Sequence, residues 1–457
     1  MSSDRSVPST RRRILTTALG VSLTAFSGCI SESDVAAPER TSPAQTEPPD
    51  TESQSDTWPQ FGANPRNTGQ AGSVTGPESE TAQVSWTFDG GTPTMNTSPV
   101  VENGLVYIGG SGDPGLVHAI ELRSGEQQWE FEPAGYLSSA PALVDGTLYF
   151  GTWGKQFYAL DAESGDVLWN TEVGHRFGSS SPAVVDGSVY VGSYGDGPLV
   201  VSGSEDEEEF EAPAMFALDT ESGEIQWRYD QFGDRSQIGS SPAVADGRVY
   251  FGAEETLYAL DSEAGDEVWT RNVPSHPDSS PAVVDGTVYY GGPTLSDSGP
   301  PAQLTALDAA SGDTNWTADL DDISFRSSPA VADGTVYVAA SSRRVCTGAG
   351  GDGESECSGT TRGQVYAIDS ESGERQWTAE IKTDTRSSPA VVDNVVFVGC
   401  RDGLSAVTTD GENAWRINFE DDREDGPYVD SSPAVADGHV FIGASDGQLR
   451  GINADSR

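Results

Sequence analysis

A proline after a small residue, opening a short apolar run, recurs in eight like contexts along this chain, at Pro99, Pro141, Pro182, Pro242, Pro281, Pro329, Pro389 and Pro433. Eight tryptophans alternate with these prolines: Trp86, Trp129, Trp169, Trp227, Trp269, Trp316, Trp377 and Trp415. The period is roughly 40 residues, stretched in three places, which is the length of a four-stranded propeller blade. Self-similarity of this kind excludes a single layered core. Each unit must bury its apolar face against the next one.

One repeat shows the strands. In SSPAVVDGTVYYGG, Ser279 to Gly292, a short apolar run ends at Asp285-Gly286 and a second run follows. Asp-Gly between β-rich runs marks a tight hairpin, because a type I′ turn needs positive φ at both central residues. A third strand reads as LYALD, Leu257 to Asp261 in another repeat, and a small-residue–Gly turn leads to a fourth strand carrying the tryptophan. Each blade thus has strands A, B, C and D, with A innermost. Helical periodicity is absent beyond the first thirty or so residues. The first tryptophan, Trp86, precedes the first proline anchor, and the last repeat ends before any tryptophan. The fold class is therefore all-β: an eight-bladed β-propeller of four-stranded antiparallel blades. An N-terminal strand completes the last blade, because an open ring would leave unpaired sheet edges.

In ALDAESGDVLW, Ala159, Gly165 and Trp169 fall at positions one, seven and eleven. The same spacing joins Ala119, Gly125 and Trp129, and it recurs at Ala217, Ala259, Ala306 and Ala367. The repeat ending in Trp415 is one residue short, and Gly451 stands where the last repeat should have alanine. This pattern resembles the tryptophan-docking motif of the PQQ-like, quinoprotein-type propeller family. The opening WPQFGANPRNTG, Trp58 to Gly69, is similar to the leader of such domains. The spacing gives structural roles: a small alanine to allow close approach of a neighbouring blade, a glycine for the turn's positive φ, and an indole packed between blades.

The 457 residues carry a formal charge of −47, and Lys155 and Lys382 are the only lysines. Acidic residues are spread among regular apolar runs, so the excess reads as a salt-adapted surface rather than a disordered tail, and the expected source is a halophilic archaeon. At ~1 M salt the Debye length is about 3 Å, and such a surface barely repels itself. The same charge argues against nucleic acid as a partner. Arg11, Arg12 and Arg13 precede an apolar run from Ile14 to Phe26 and then Cys29. The run is too short to span a bilayer, which takes ~20 residues. Residues 1–29 are therefore expected to be a twin-arginine-like signal with a lipobox, Cys29 being lipidated. Residues 30–56, rich in Ser, Thr, Pro and acids, read as a tether, and 57–457 as the propeller.

The resemblance covers enzymes and non-enzymes. Related dehydrogenases hold pyrroloquinoline quinone and calcium on the axis, beside a disulfide between adjacent cysteines. Here Cys29, Cys346, Cys357 and Cys400 are all separated, no haem-attachment motif is present, and no strand-to-helix nucleophile elbow is expected in an all-β repeat. The expectation is a non-catalytic scaffold of the BamB-like lipoprotein type, without PQQ, calcium or other cofactor. It would be monomeric, with protein partners, anchored at the outer face of the cytoplasmic membrane. The alternatives are a PQQ-dependent alcohol or sugar dehydrogenase and a solute-binding or sensing module.

Function on such a ring should sit where the repeats disagree. The A–B and C–D turns share one face and are short. All three long insertions, 194–214, 292–303 and 341–363, are B–C connections on the other face. Strand A begins at that face beside the axis. Three residues before each proline stand Asn96, Ser138, Ser179, Gly239, Asp278, Arg326, Arg386 and Asp430. Asn96, Asp278, Arg326, Arg386 and Asp430 form a candidate rim. Two readings stay open for it: a charge network between blades, or a polar or anionic ligand site anchored by Arg326 and Arg386. Cys346 and Cys357 could close a disulfide loop, with Cys400 as a rival partner. Asp352, Glu354 and Glu356, like the acidic run 204–211, lack calcium-loop spacing. His175 and His276 lie on D–A connections without zinc-site spacing, and no metal is expected.

Overall fold

The computed structural model describes residues 57–70, 82–195, 212–232, 237–253, 255–273, 279–292, 302–320, 326–342, 362–419 and 426–454, and the backbone of 323–324, 345–349 and 355–358. Blade 1 pairs A (Val100–Glu102), B (Leu105–Gly110), C (Leu116–Glu121) and D (Gln127–Phe131) in that order, and blades 2 to 7 repeat it. Blade 8 takes A (Ala434–Ala436), B (His439–Gly443) and C (Gln448–Ala454) from the end of the described chain. Its D strand is Ala82–Asp89, antiparallel to C with Trp86 opposite Gly451. Closure by the N-terminal strand and the count of eight blades are as the repeat predicts. A short 3-10 turn, Phe61–Ala63, is the one helical element among the described residues.

The Asp-Gly turns hold the expected conformation: Asp285 has φ +48° and Gly286 +73°. Inner strands are buried on both faces because each lies between two neighbouring blades. One apolar cluster joins Ala302 and Leu304 of blade 5 to Val336 and Val338 of blade 6. Blade 6 gains a short strand, Ile323–Ser324, on an extended B strand, Thr335–Ser342, and its insertion forms a ribbon of Val345–Ala349 against Ser355–Ser358. The sequence pattern shows neither.

The blades are locked at three radii. Outermost is the tryptophan. Trp129 Nε1 donates to the Ala162 carbonyl of blade 2 at 2.9 Å, and the ring lies on Gly165, where a Cβ would stand 2.8 Å away. Trp86, Trp169, Trp227, Trp269, Trp316 and Trp377 repeat the lock onto Leu122, Thr220, Ser262, Ala309, Ser370 and Thr409. Glycine is needed here twice over: Gly165 has φ +76°, and it must also admit the neighbour's indole. The alanine's role differs from the expectation. Ala159 opposes Trp169 within its own blade, so its small side chain makes room for its own blade's indole. In blade 8 the indole comes closer still, which explains Gly451: a Cβ there would sit 2.3 Å from Trp86. Trp415 opposes Ala406 in the same way. Strand-B tyrosines reinforce the lock: Tyr107 OH donates to the same Ala162 carbonyl at 3.1 Å. Both lone pairs of one carbonyl are thus used from the preceding blade.

The middle lock is made by the residue just before each proline. Its backbone N–H donates to the serine Oγ at the same position of the next blade. The series runs Ala140 to Ser181, Ser181 to Ser241, Ser241 to Ser280, Ser280 to Ser328, Ser328 to Ser388, Ser388 to Ser432 and Ser432 to Ser98, at 2.8–3.0 Å. The circle breaks only between blades 1 and 2, where Ala140 has no hydroxyl to offer Ser98. The serine one place earlier pins A to B within a blade, as Ser387 Oγ accepts from Gly399 N–H at 3.1 Å.

The innermost lock is the leader. It winds inside the ring along the A strands, so the axis is filled. The backbone N–H groups of Val101, Leu143, Val244, Val283, Val331 and Val391 donate to the carbonyls of Trp58, Pro59, Pro65, Arg66, Thr68 and Gly69. Val184 N–H donates to Gln60 Oε1 at 2.8 Å. Seven blades are thereby bonded in chain order to one short segment. Asn67, with φ +53°, turns its amide to the carbonyls of Ser241, Pro242 and Pro281.

The broken circle gives a direct test. Ala140→Ser supplies the missing Oγ and should stabilise the ring by about 1 kcal/mol, the net worth of one hydrogen bond. Thermal unfolding of the variant beside the native chain reads this, and a lowered midpoint would refute it. The seam gives a second test. His118 of blade 1 is buried, edge-on to Phe88 at 5.1 Å, with Glu130 3.6 Å from its Nδ1. Burial holds its pKa below the ordinary 6.5, against the opposing pull of Glu130. The unfolded chain therefore takes up a proton first, and stability is lost as pH falls through 6.5. The turn aspartates Asp161, Asp219, Asp308 and Asp369, held below 3.8 by serine and backbone hydrogen bonds, lose their contribution only in stronger acid. Between about pH 7 and 5, His118→Leu should flatten the fall in melting temperature. An unchanged slope would show that this imidazole does not govern the seam.

Candidate functional site

The start of every A strand points its side chains to the axis, and above the leader this leaves a cup of about 290 Å³. Its wall is the serine circle, Phe61 of the leader is part of its lining, and Asn96, Ser138, Ser179, Arg326, Arg386 and Asp430 complete it. The structure thus brings together four of the five candidate rim residues, Asn96, Arg326, Arg386 and Asp430. Asp278 lies outside the described residues, as does Cys29.

The rim is electrically uneven. Arg326, Arg386 and Asp430 come from blades 6, 7 and 8. Arg386 Nη1 lies 3.9 Å from Asp430 Oδ1, too far for a hydrogen bond, and both side chains are partly exposed. Partial burial pushes the Asp430 carboxyl above 3.8, with Arg386 and then Arg326 pulling it down and Asp384 adding repulsion. On the opposite side the rim is aromatic. Trp153 Nε1 donates to Ser138 Oγ at 2.6 Å, and Tyr194 OH lies 2.9 Å from Ser179 Oγ. Tyr136 stacks on Trp153 at 5.4 Å, and Tyr194 meets Trp153 edge-on at 5.7 Å. This aromatic cluster escaped the sequence reading. Its signal was available: Trp58 and Trp153 are the two of ten tryptophans outside the repeat series.

The remaining candidates stand apart from the cup. The eight docking tryptophans are on D strands, at the ring's outside. The backbone sets Cys346 directly opposite Cys357 in the ribbon, and their side chains lie outside the described residues. Cys400 is a buried free thiol that donates to Ser405 Oγ at 3.2 Å, its pKa pushed up to about 11 by burial. That removes it as the rival disulfide partner. His175 is buried, edge-on to Phe216, with Nδ1 3.4 Å from Ser193 Oγ. His276, the 204–211 run, Asp352 and Glu354 lie outside the described residues, and of Glu356 only the backbone is described. Among the described residues no three His, Cys, Asp or Glu side chains gather as a metal site.

The donor set tests the family's axial group. Calcium takes six to eight oxygens, carboxylates prominent among them. The described cup offers one carboxylate, Asp430, beside two guanidiniums that would repel a cation. The described residues of the cup do not fit a calcium ion.

A family model described as outer membrane protein assembly factor BamB matches residues 113–231, 195–299, 253–356 and 361–457, most of the chain. Quinohemoprotein alcohol dehydrogenase of Comamonas testosteroni is 28% identical over 160 residues, which are 32% of this chain and 21% of that protein. Its crystal structure superposes with a TM-score of 0.65 at 16% identity, covering 88% of this chain and 81% of the other. BamB of Yersinia pestis is 28% identical over 106 residues, 20% of this chain and 26% of its own length. BamB of Moraxella catarrhalis superposes with a TM-score of 0.58 at 18% identity, covering 82% of this chain and all of that one, 100%. The sequence matches thus span about a quarter or less of those relatives, and the structural likeness speaks for the fold.

Proposed function

The chain belongs to the family of the outer membrane protein assembly factor BamB, and on that premise we propose that it is a non-catalytic scaffold that binds protein partners outside the cytoplasm. A lipid on Cys29 holds it at the outer face of the cytoplasmic membrane. One observation carries this reading: the leader fills the axis and is bonded to seven of eight blades, so the ring is braced at its centre. A body locked at three radii has little freedom for the closures that commit substrates in many enzymes. It is suited to presenting a fixed surface. That surface is the B–C and D–A face, which carries the three insertions and the ribbon of blade 6. The poor match between the cup's described donors and a calcium ion supports the same reading.

The dehydrogenase relative makes the decisive assay clear. Purified protein given pyrroloquinoline quinone and Ca²⁺ should show no dye-linked oxidation of alcohols or sugars. Sustained turnover would overturn the scaffold reading in favour of a dehydrogenase. Anchoring has its own readout: Cys29→Ser should move the protein from the membrane fraction into the medium, and retention on the membrane would sink it. Replacing 343–361 by a short turn should abolish partner crosslinks at the membrane while leaving thermal unfolding unchanged. Persistence of the same crosslinks would move the docking surface elsewhere.

A further inference from the structure

We propose that the axial cup binds a small carboxylate or phosphate anion, gripped by Arg326 and Arg386 and by the hydroxyl protons of the serine circle. The inference does not depend on the scaffold reading. A serine hydroxyl has one proton and two lone pairs. In seven serines of the circle a lone pair already accepts a backbone N–H from the preceding blade. Their protons remain, and among the described residues no acceptor takes them. All seven line the cup. Ser181, Ser241, Ser280 and Ser328 are only 1–3% exposed, so what fills the cup must serve them. Unpaired buried hydroxyls cost free energy, and an apolar occupant gives them nothing to donate to. Water can take these protons one or two at a time; an anion held by the two arginines takes several at once.

The charged side of the rim agrees. Among the described residues neither Arg326 nor Arg386 has a hydrogen-bonded carboxylate partner; Arg386 forms only a loose ion pair with Asp430 at 3.9 Å. Two open guanidinium forks over a ring of hydroxyl donors match the planar, multidentate geometry of carboxylate and phosphate. Asp430 opposes the anion and competes for Arg386, so it sets the affinity. The cup's 290 Å³ equals roughly ten water molecules at ≈30 Å³ each, room for a small oxyanion with residual water. The chain's overall negative charge repels anions at low salt, but at ~1 M salt the Debye length is about 3 Å and only the local arginines are felt.

The test is calorimetric titration of the purified protein in ~1 M NaCl with citrate, inorganic phosphate and glucose as probes. One citrate or phosphate per chain is expected, with no heat from glucose. The double variant Arg326→Gln/Arg386→Gln should weaken the anion at least about tenfold with an unchanged melting temperature in its absence. Asp430→Asn should tighten it several-fold. A short peptide with a free C-terminal carboxylate, beside its amide, tells the source. Binding of the acid alone places the anion on a partner's chain end, and binding of citrate or phosphate alone makes it a free solute. The proposal is overturned if citrate, phosphate and the peptide acid all fail to bind, if the double variant binds as the native chain does, or if Asp430→Asn has no effect or weakens binding.

Discussion

Trp86 is the side chain on which the ring depends. It arrives from the N-terminal side of the repeats, pairs opposite Gly451, and donates its indole N–H to Leu122 of blade 1. Without its strand blade 8 would lack a fourth strand, and without its indole blade 1 would have an unfilled glycine notch at Gly125. Closure gives blade 8 the same four strands as the others, so every blade ends in a D strand. The other six described locks are copies of this contact, and each is directional: an indole from one blade, a carbonyl and a glycine from the next. That polarity fixes the order of blades as well as their spacing.

The two inner locks restrain the same degrees of freedom in a different chemistry. Near the axis the A strands converge, and there is no room for an indole between them. Small hydroxyls and backbone groups take over. Each serine Oγ accepts an N–H that the sheet leaves over, and the leader's carbonyls do the same one layer further in. Buried backbone donors must find acceptors, so a narrow axis demands one or the other. The consequence for function is indirect but firm. With one lone pair of each serine held by the backbone, the serine protons are turned toward the cup.

The division of labour between the faces follows from strand polarity. The A–B and C–D turns of one face are uniformly short. Connections of the other face carry the chain from B to C and from blade to blade, and these tolerate insertion. Rim residues start the A strands on that second face. There the arginines of blades 6 and 7 stand across from Trp153 and Tyr194 of blades 2 and 3.

Fold class, blade count and the closing strand were legible in the sequence because they rest on local turn chemistry and on a repeat spacing that survives substitution. Trp169, Gly165 and Asp285-Gly286 each declare their role within a dozen residues. The rim position was legible too, because it differs where its neighbours agree. The tertiary structure alone decided the rest, since it depends on contacts between residues far apart in the chain. Ala159 was seen as small, but only the register shows that it makes room for its own blade's indole. Cys400 looked available for pairing until its burial in blade 7 was seen. The leader's sequence gives no sign that it threads the axis, because its bonds run through backbone atoms that every residue shares. For the same reason the serine circle, written seven times beside the prolines and broken once at Ala140, became a ring of donors only when the blades closed.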